Sequence, residues 1–273
     1  MAEFLAAAGE FLRADPTRNT VFLTVTATLR ADPARLPLFG WWTGPAGEIG
    51  GAFLHTPPFP LLLTDVPAAA AAGLATTLAR RPLASVNAAP AVAEAFAGRW
   101  RDATGCAVRV RQRQRLYRLA GLSWPDPVPE GAPRVAASPD APLVTGWFSA
   151  FAGESLAGDE EHEGQDRVAD VADRLGYGGV TVWEAGGVPV STAGRSRPVA
   201  GMVRVGPVYT PPRLRGRGYG SAVTAAVSRQ ALDAGAADVV LFTDLANPVS
   251  NSIYQRIGYR AVEDRVILAF RAQ

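Results

Sequence analysis

One order of sequence elements occurs twice in this chain, and it limits the fold more than any other feature. The stretches WWTGPAGEIGGAFLHTPPFPLLLTDVPAA, from Trp41, and TVWEAGGVPVSTAGRSRPVAGMVRVGPVYTPP, from Thr181, both read as strand, Gly turn, strand, Pro or polar break, strand, then helix. A repeat of roughly 120 residues is too long for a solenoid, so two packed copies of one α/β domain are expected. The length of 273 residues suits two domains of ordinary size.

Hydrophobic periodicity fills in the rest. The first half reads as a helix over Ala2–Arg13 and a second helix capped at Asn19-Thr20 and running toward Leu29. After its three strands come a helix over Ala68–Arg80, a strand near Leu83–Val86, a helix over Ala91–Ala103 and a strand over Ala107–Leu119. The segment SWPDPVPEGAP concentrates Pro and Gly without periodicity and reads as a linker. The expected organisation is therefore an N-terminal domain at 1–122, a linker at 123–133 and a second domain at 134–273. In that second domain Arg134–Phe151 ends in a helix, and a further helix spans Glu163–Leu175.

All 27 basic residues are Arg, for the chain contains no Lys. A Schiff-base lysine is excluded, and so is a P-loop, which needs G-x-x-x-x-G-K-[ST]. The net charge is +2 and the Arg residues are dispersed; the densest run, RVRQRQRLYR, alternates like an exposed strand, so no nucleic-acid partner is expected. No run of eighteen apolar residues and no charged leader occur, which reads as a cytoplasmic protein without a membrane span. Cys106 is the single cysteine, and His55 and His162 are isolated; no disulfide, metal site or triad is expected. Oligomeric state stays open between monomer and homodimer.

The most informative segment is VGPVYTPPRLRGRGYGSAVTAAVSRQALDAG: an apolar strand, a double proline, a Gly/Arg loop and a helix ended by Gly235. Gly216, Gly218 and Gly220 permit positive φ and close approach of a ligand, and the helix start offers free N–H groups and a favourable dipole for anions. Arg213, Arg215 and Arg217 add positive charge, so a diphosphate is the natural ligand; a plain Gly-rich turn is the alternative. The dinucleotide fingerprint G-x-G-x-x-G counted from Gly216 fails at Ser221.

RGRGYG, Arg215 to Gly220, resembles the R/Q-x-x-G-x-G/A signature of the GNAT superfamily of acyl-CoA-dependent acyltransferases, with a second match two residues earlier from Arg213. Downstream, ANPVSNSIYQRIGYRAV resembles that family's N-x-x-[SA]-x-x-x-Y-x-x-x-G-[FY] element, with Asn247, Ser250, Tyr254, Gly258 and Tyr259 in its positions. The resemblance covers Gly201–Val262 closely and, through element order, the whole second half. It implies tandem GNAT-like α/β domains, each a central mixed, mostly antiparallel sheet flanked by helices.

It also implies a site. The loop residues Arg215, Gly216, Arg217, Gly218, Tyr219, Gly220 and Ser221 would bind the pyrophosphate of acetyl-CoA. The strand end Val208, Tyr209 and Thr210 would hold the pantetheine arm, and no metal is involved. Asn247 would either hold that arm or cap a helix. Tyr254 would be the general acid for the departing thiolate, or else a core aromatic between Ile253 and Ile257. The base for the incoming amine is not visible; Glu154, the cluster Asp159-Glu160-Glu161-His162-Glu163 and Asp244 are the candidates.

In the first half TDVPAAAAAGLATTL replaces the loop, and in SVNAAPAVAEAFAGRW Glu94 stands where the Tyr belongs, so that half reads as a degenerate copy that does not bind CoA. Its Trp41, Trp42 and Phe59 read as core. The function expected is transfer of an acetyl group to a small-molecule or peptide amine by direct attack on the thioester; the alternative is a catalytically inactive acyl-CoA-binding sensor.

Overall fold

The computed structural model describes residues 1–29, 37–155 and 167–271. The chain divides into two compact units, one of Met1–Leu116, Asp244–Ala246 and Val262–Gln273, the other of Tyr117–Thr243 and Asn247–Ala261.

The first unit contains α1 (Ala2–Ala14), α2 (Thr20–Thr28), β1 (Leu38–Thr43), β2 (Ile49–His55), β3 (Leu61–Leu63), α3 (Ala68–Leu78), β4 (Ser85–Ala88), α4 (Pro90–Thr104) and most of β5 (Ala107–Leu119). β1, β2 and β3 form an antiparallel meander, and β3 lies parallel to β4, a pairing that needs the crossover helix α3. β4 pairs antiparallel with the end of the C-terminal strand β11 (Tyr259–Arg271), Val266 opposite Ala88. α4 starts with Pro90 and stops at Gly105, whose φ of 73° only glycine adopts freely. Leu61, Leu63, Ala75, Val86, Phe96, Trp100 and Phe270 make the core.

The second unit contains β6 (Ala132–Val135), α5 (Ala141–Ser155), α6 (Arg167–Gly176), β7 (Val180–Ala185), β8 (Val188–Arg195), β9 (Met202–Tyr209), α7 (Tyr219–Asp233), β10 (Asp238–Asp244), α8 (Pro248–Arg256) and the start of β11. β6 through β9 are successively antiparallel, and β9 is parallel to β10. Val203, Val205, Val223, Val227, Leu241, Ile257 and the rings of Trp183, Tyr254 and Tyr259 share one core.

Each unit is thus a mixed, mostly antiparallel sheet with helices, as read from the sequence, and the internal correspondence is close. The first hairpin of each unit slips register at its tryptophan, between Trp42 and Thr43 in one and Trp183 and Glu184 in the other. Each then builds one parallel pair bridged by one helix. Two elements escaped the sequence reading. β6 begins inside the segment read as linker; it tolerates Pro133 because it pairs on one side only. β11 runs to Arg271 because VILAF is a buried apolar run, with Val266 to Phe270 all buried. The acidic cluster Asp159–Glu163 lies outside the described residues.

Candidate functional site

The site begins where two parallel strands part. The β9–β10 ladder runs from Met202 opposite Asp238 to Arg204 opposite Val240, yet β9 continues to Tyr209. A bulge marks the divergence: Val208 faces Ala193 and Val205 faces Arg195, so Gly206 and Pro207 together oppose Gly194. Gly206 has φ 143°, and Pro207 has no N–H to offer a neighbouring strand. The extra residue also shifts the alternation of side chains. Val203 and Val205 belong to one core with Val223 and Ala226 of α7 and Val208 packs against that core, whereas Tyr209 turns to α5, its ring centre 6.4 Å from that of Trp147.

A 3₁₀ turn at Pro212–Leu214 then leads into the loop, which the glycines shape. Gly216 and Gly218 have φ of 76° and 83°, and a Cβ on Gly216 would meet nothing within 4 Å. Gly218 is the N-cap of α7, and the first intrahelical bond is Ala222 N–H to Gly218 C=O at 3.0 Å. The N–H groups of Tyr219, Gly220 and Ser221 precede it and have no acceptor within the helix. Arg213 and Arg217 are exposed, with no ion-pair partner among the described residues.

Arg215 is placed differently. Its Nη2 donates to Glu154 Oε2 at 2.6 Å and its Nε to the Thr210 C=O at 2.9 Å, and the guanidinium carbon lies 5.6 Å from the centre of the Tyr209 ring. Glu154, on the last turn of α5, accepts from the Tyr209 hydroxyl through its other oxygen at 3.1 Å. Ser191 of β8 donates to the Tyr209 C=O at 3.0 Å and shares a hydrogen bond with the Thr210 hydroxyl at 2.8 Å. The Tyr209 phenol is pushed up, first by burial and then by the Glu154 carboxylate. Sequence reading named Glu154 as a candidate base without a location, and it missed Ser191 and Trp147, whose local sequence carries no signal.

Tyr254 sits in the same core as Val205 and Tyr219, its ring 6.2 Å from Tyr259 and nearly edge-on. Burial pushes its phenol up to about 12, offset in part by a hydrogen bond with Ser250. Asn247 caps α8: its Oδ1 accepts from Ser250 N–H at 3.0 Å. Asp244 falls in the first unit and accepts from Gln112 Nε2 at 3.1 Å and Ala246 N–H at 2.8 Å. Among the described residues no group of three His, Cys, Asp or Glu could hold a metal ion, and no helix is long and apolar enough to cross a membrane.

The corresponding place in the first unit is filled. β3 stops at Leu63, and only Thr64 to Pro67 separate it from α3, with no glycine among them. The guanidinium of Arg265, only 5% exposed, donates to the Leu63 C=O at 2.8 Å, the Asn87 C=O at 3.0 Å and Asn87 Oδ1 at 3.0 Å, and pairs with Glu263. A buried arginine therefore bridges the ends of the parallel pair that in the second unit are left apart.

Solved structures share this fold. The chain superposes on a GCN5-related N-acetyltransferase from Kribbella flavida at TM-score 0.60 and 18% identity, covering 96% of each chain. It is similar to a GCN5-related N-acetyltransferase from Sphaerobacter thermophilus at TM-score 0.61 and 17% identity, over 98% of this chain and 91% of that one. A GNAT-family acetyltransferase from Colwellia psychrerythraea follows at TM-score 0.58 and 11% identity, over 98% and 97%. By sequence, residues 193–268 match the model of the FR47-like protein family, and no curated protein matches. The chain has the GNAT fold, and the resemblance read from its loop is borne out at that level.

Proposed function

We propose that the second unit is an N-acetyltransferase site that takes acetyl-CoA and acetylates the amine of a small molecule or peptide. The observation that carries this reading is the continuity of Val208–Ser221: strand-end backbone with no ladder partner on the β10 side runs through the glycine loop into a helix start whose first N–H groups have no acceptor within the helix. The first suits the amides of a pantetheine arm and the second a diphosphate, with Arg213 and Arg217 adding charge. Gly216 supports the fit, since the open space at its Cα leaves room for a phosphate to approach.

Acetyl-CoA supplies an activated acyl carbon with a thiol leaving group; the chain has to position it and move protons. Tyr209 and Glu154 form a pair suited to removing the amine proton. As Tyr209 Oη accepts that proton, its own passes to Glu154 Oε1, to which it is already hydrogen-bonded. Arg215 holds the carboxylate in place and Ser191 holds the strand end. Tyr254 is protonated throughout the neutral range and is the candidate proton donor to the leaving sulfur. From a phenol at about 12 to a thiolate of ordinary basicity the transfer is uphill by about 5 kcal/mol, so it must be concerted with C–S cleavage. The cytoplasm, where acetyl-CoA and reduced thiols coexist, is the expected location.

That same burial of Tyr254 favours a second reading, an acyl-CoA-binding sensor without turnover. Calorimetric titration with acetyl-CoA, with NAD, and with a Gly218→Glu variant tests the cofactor. Binding of acetyl-CoA alone at about micromolar strength, lost in the variant, supports both readings, and its absence overturns both. Turnover with a panel of amines then separates enzyme from sensor.

A further inference from the structure

The first unit contains a cavity that the repeat comparison makes conspicuous. In the second unit the hairpin tryptophan, Trp183, is 2% exposed, packs in one core with Val223 and Val227 of α7, and donates its indole N–H to the Glu130 C=O at 2.9 Å. β6 flanks its strand. In the first unit the equivalent Trp42 lies on β1, beyond which no strand is paired among the described residues. The helix over it, α3, supplies alanines and Gly73 where α7 supplies valines. What remains is a cavity of about 340 Å³ between the sheet edge and α3, lined by Trp42, Phe53, Leu63, Val66, Ala71 and Leu74.

The lining dictates the occupant. It includes no charged side chain, and its one hydroxyl, on Thr77, is already donated to the Gly73 C=O at 3.0 Å. The indole N–H of Trp42, whose side chain is on the same sheet face as Phe53 and Leu63, has no partner among the described residues. The volume of about 340 Å³ is about twice that of an apolar cavity that takes up benzene. Left empty, apolar walls of this extent forfeit dispersion contacts that a flat ring recovers.

We propose that the first unit binds a neutral aromatic molecule of about two fused rings, with a hydrogen-bond acceptor, between β1–β3 and α3. The ligand seats against Trp42 and Phe53 under Gly73. This site is independent of the phosphate loop, so the reading of the second unit does not bear on it. It also revises the sequence reading of Trp42 as mere core.

The test is a titration of the full chain with 6-propionyl-2-dimethylaminonaphthalene, a neutral naphthalene ketone that fluoresces in apolar surroundings and accepts energy from tryptophan. The expected result is one saturable site with blue-shifted emission and transfer from tryptophan. Gly73 lines the cavity and a Cβ there meets nothing within 4 Å, so Gly73→Phe, checked for an intact fold by thermal melt, puts a ring at the cavity and removes a helix-interior glycine. It should weaken the probe by about tenfold or more, as should Ala70→Phe, while Gly218→Glu in the phosphate loop leaves it unchanged. Absence of saturable binding overturns the proposal, as does binding that both filling variants leave intact. Probe release on raising protein concentration, in step with self-association in sedimentation, also overturns it and assigns the cavity to contact between copies.

Discussion

The Tyr209 hydroxyl donates to Glu154 at 3.1 Å, joining the last residue of a strand that has left its parallel neighbour to the last turn of α5. The same Glu154 grips Arg215 at the head of the glycine loop. Acid–base chemistry and diphosphate binding, if both occur in the second unit, meet at this carboxylate.

Glu154→Gln and Tyr209→Phe should each lower kcat by about tenfold to a hundredfold, and Tyr209→Phe should do so with the acetyl-CoA Kd little changed. Steady-state kinetics on an accepted amine, paired with calorimetry, reads both quantities. Equal loss of affinity and thermal stability with kcat unchanged would reduce the pair to a structural clamp.

Gly218→Ala should separate backbone strain from ligand loss. A φ of 83° costs a non-glycine residue about 1 kcal/mol, so Tm should fall by a few degrees, and acetyl-CoA binding should weaken because the loop N–H groups turn. Thermal melts with and without acetyl-CoA check it; a variant that melts and binds like the parent sinks the idea.

Arg265→Leu should be among the most damaging single changes in the first unit. It strips the C=O groups of Leu63 and Asn87 of their donor inside the core, at a cost of about 2–4 kcal/mol. Urea unfolding gives the number, and a loss within error of zero would mean that β3 and β4 do not need the bridge.

Tyr254 makes stability fall at alkaline pH. Its folded phenol is raised to about 12 against about 10 unfolded, so its contribution is whole below pH 10 and is lost as pH climbs to 12, by roughly 3 kcal/mol at most. Denaturant midpoints measured between pH 9 and about 11 should therefore slope less steeply in Tyr254→Phe. Identical slopes would place the phenol in contact with water.

Asn247→Ala should cost about 1 kcal/mol of stability through loss of the α8 cap and leave acetyl-CoA affinity within about twofold. A large loss of affinity at unchanged Tm would favour the pantetheine role.

The sequence by itself determined the elements and the loop. Alternation and helical spacing placed β1–β5, α1, α3 and α7 within a few residues, because those patterns arise from burial of one face and survive in the linear order. RGRGYG was legible for a similar reason: positive φ demands glycine locally. The tertiary structure alone decided the rest. Arg215 was read as a phosphate ligand, but its partner Glu154 lies 61 positions away in the sequence, a pairing that no local pattern encodes. Asn247 left two roles open, and the structure shows one of them, its side-chain oxygen accepting from the Ser250 amide. Trp42 and Trp183 sit in matching hairpins, yet one borders a cavity and the other is buried. The difference comes from what covers each, β6 and valines or an open edge and alanines, and cover is a property of contacts between segments that only folding brings together.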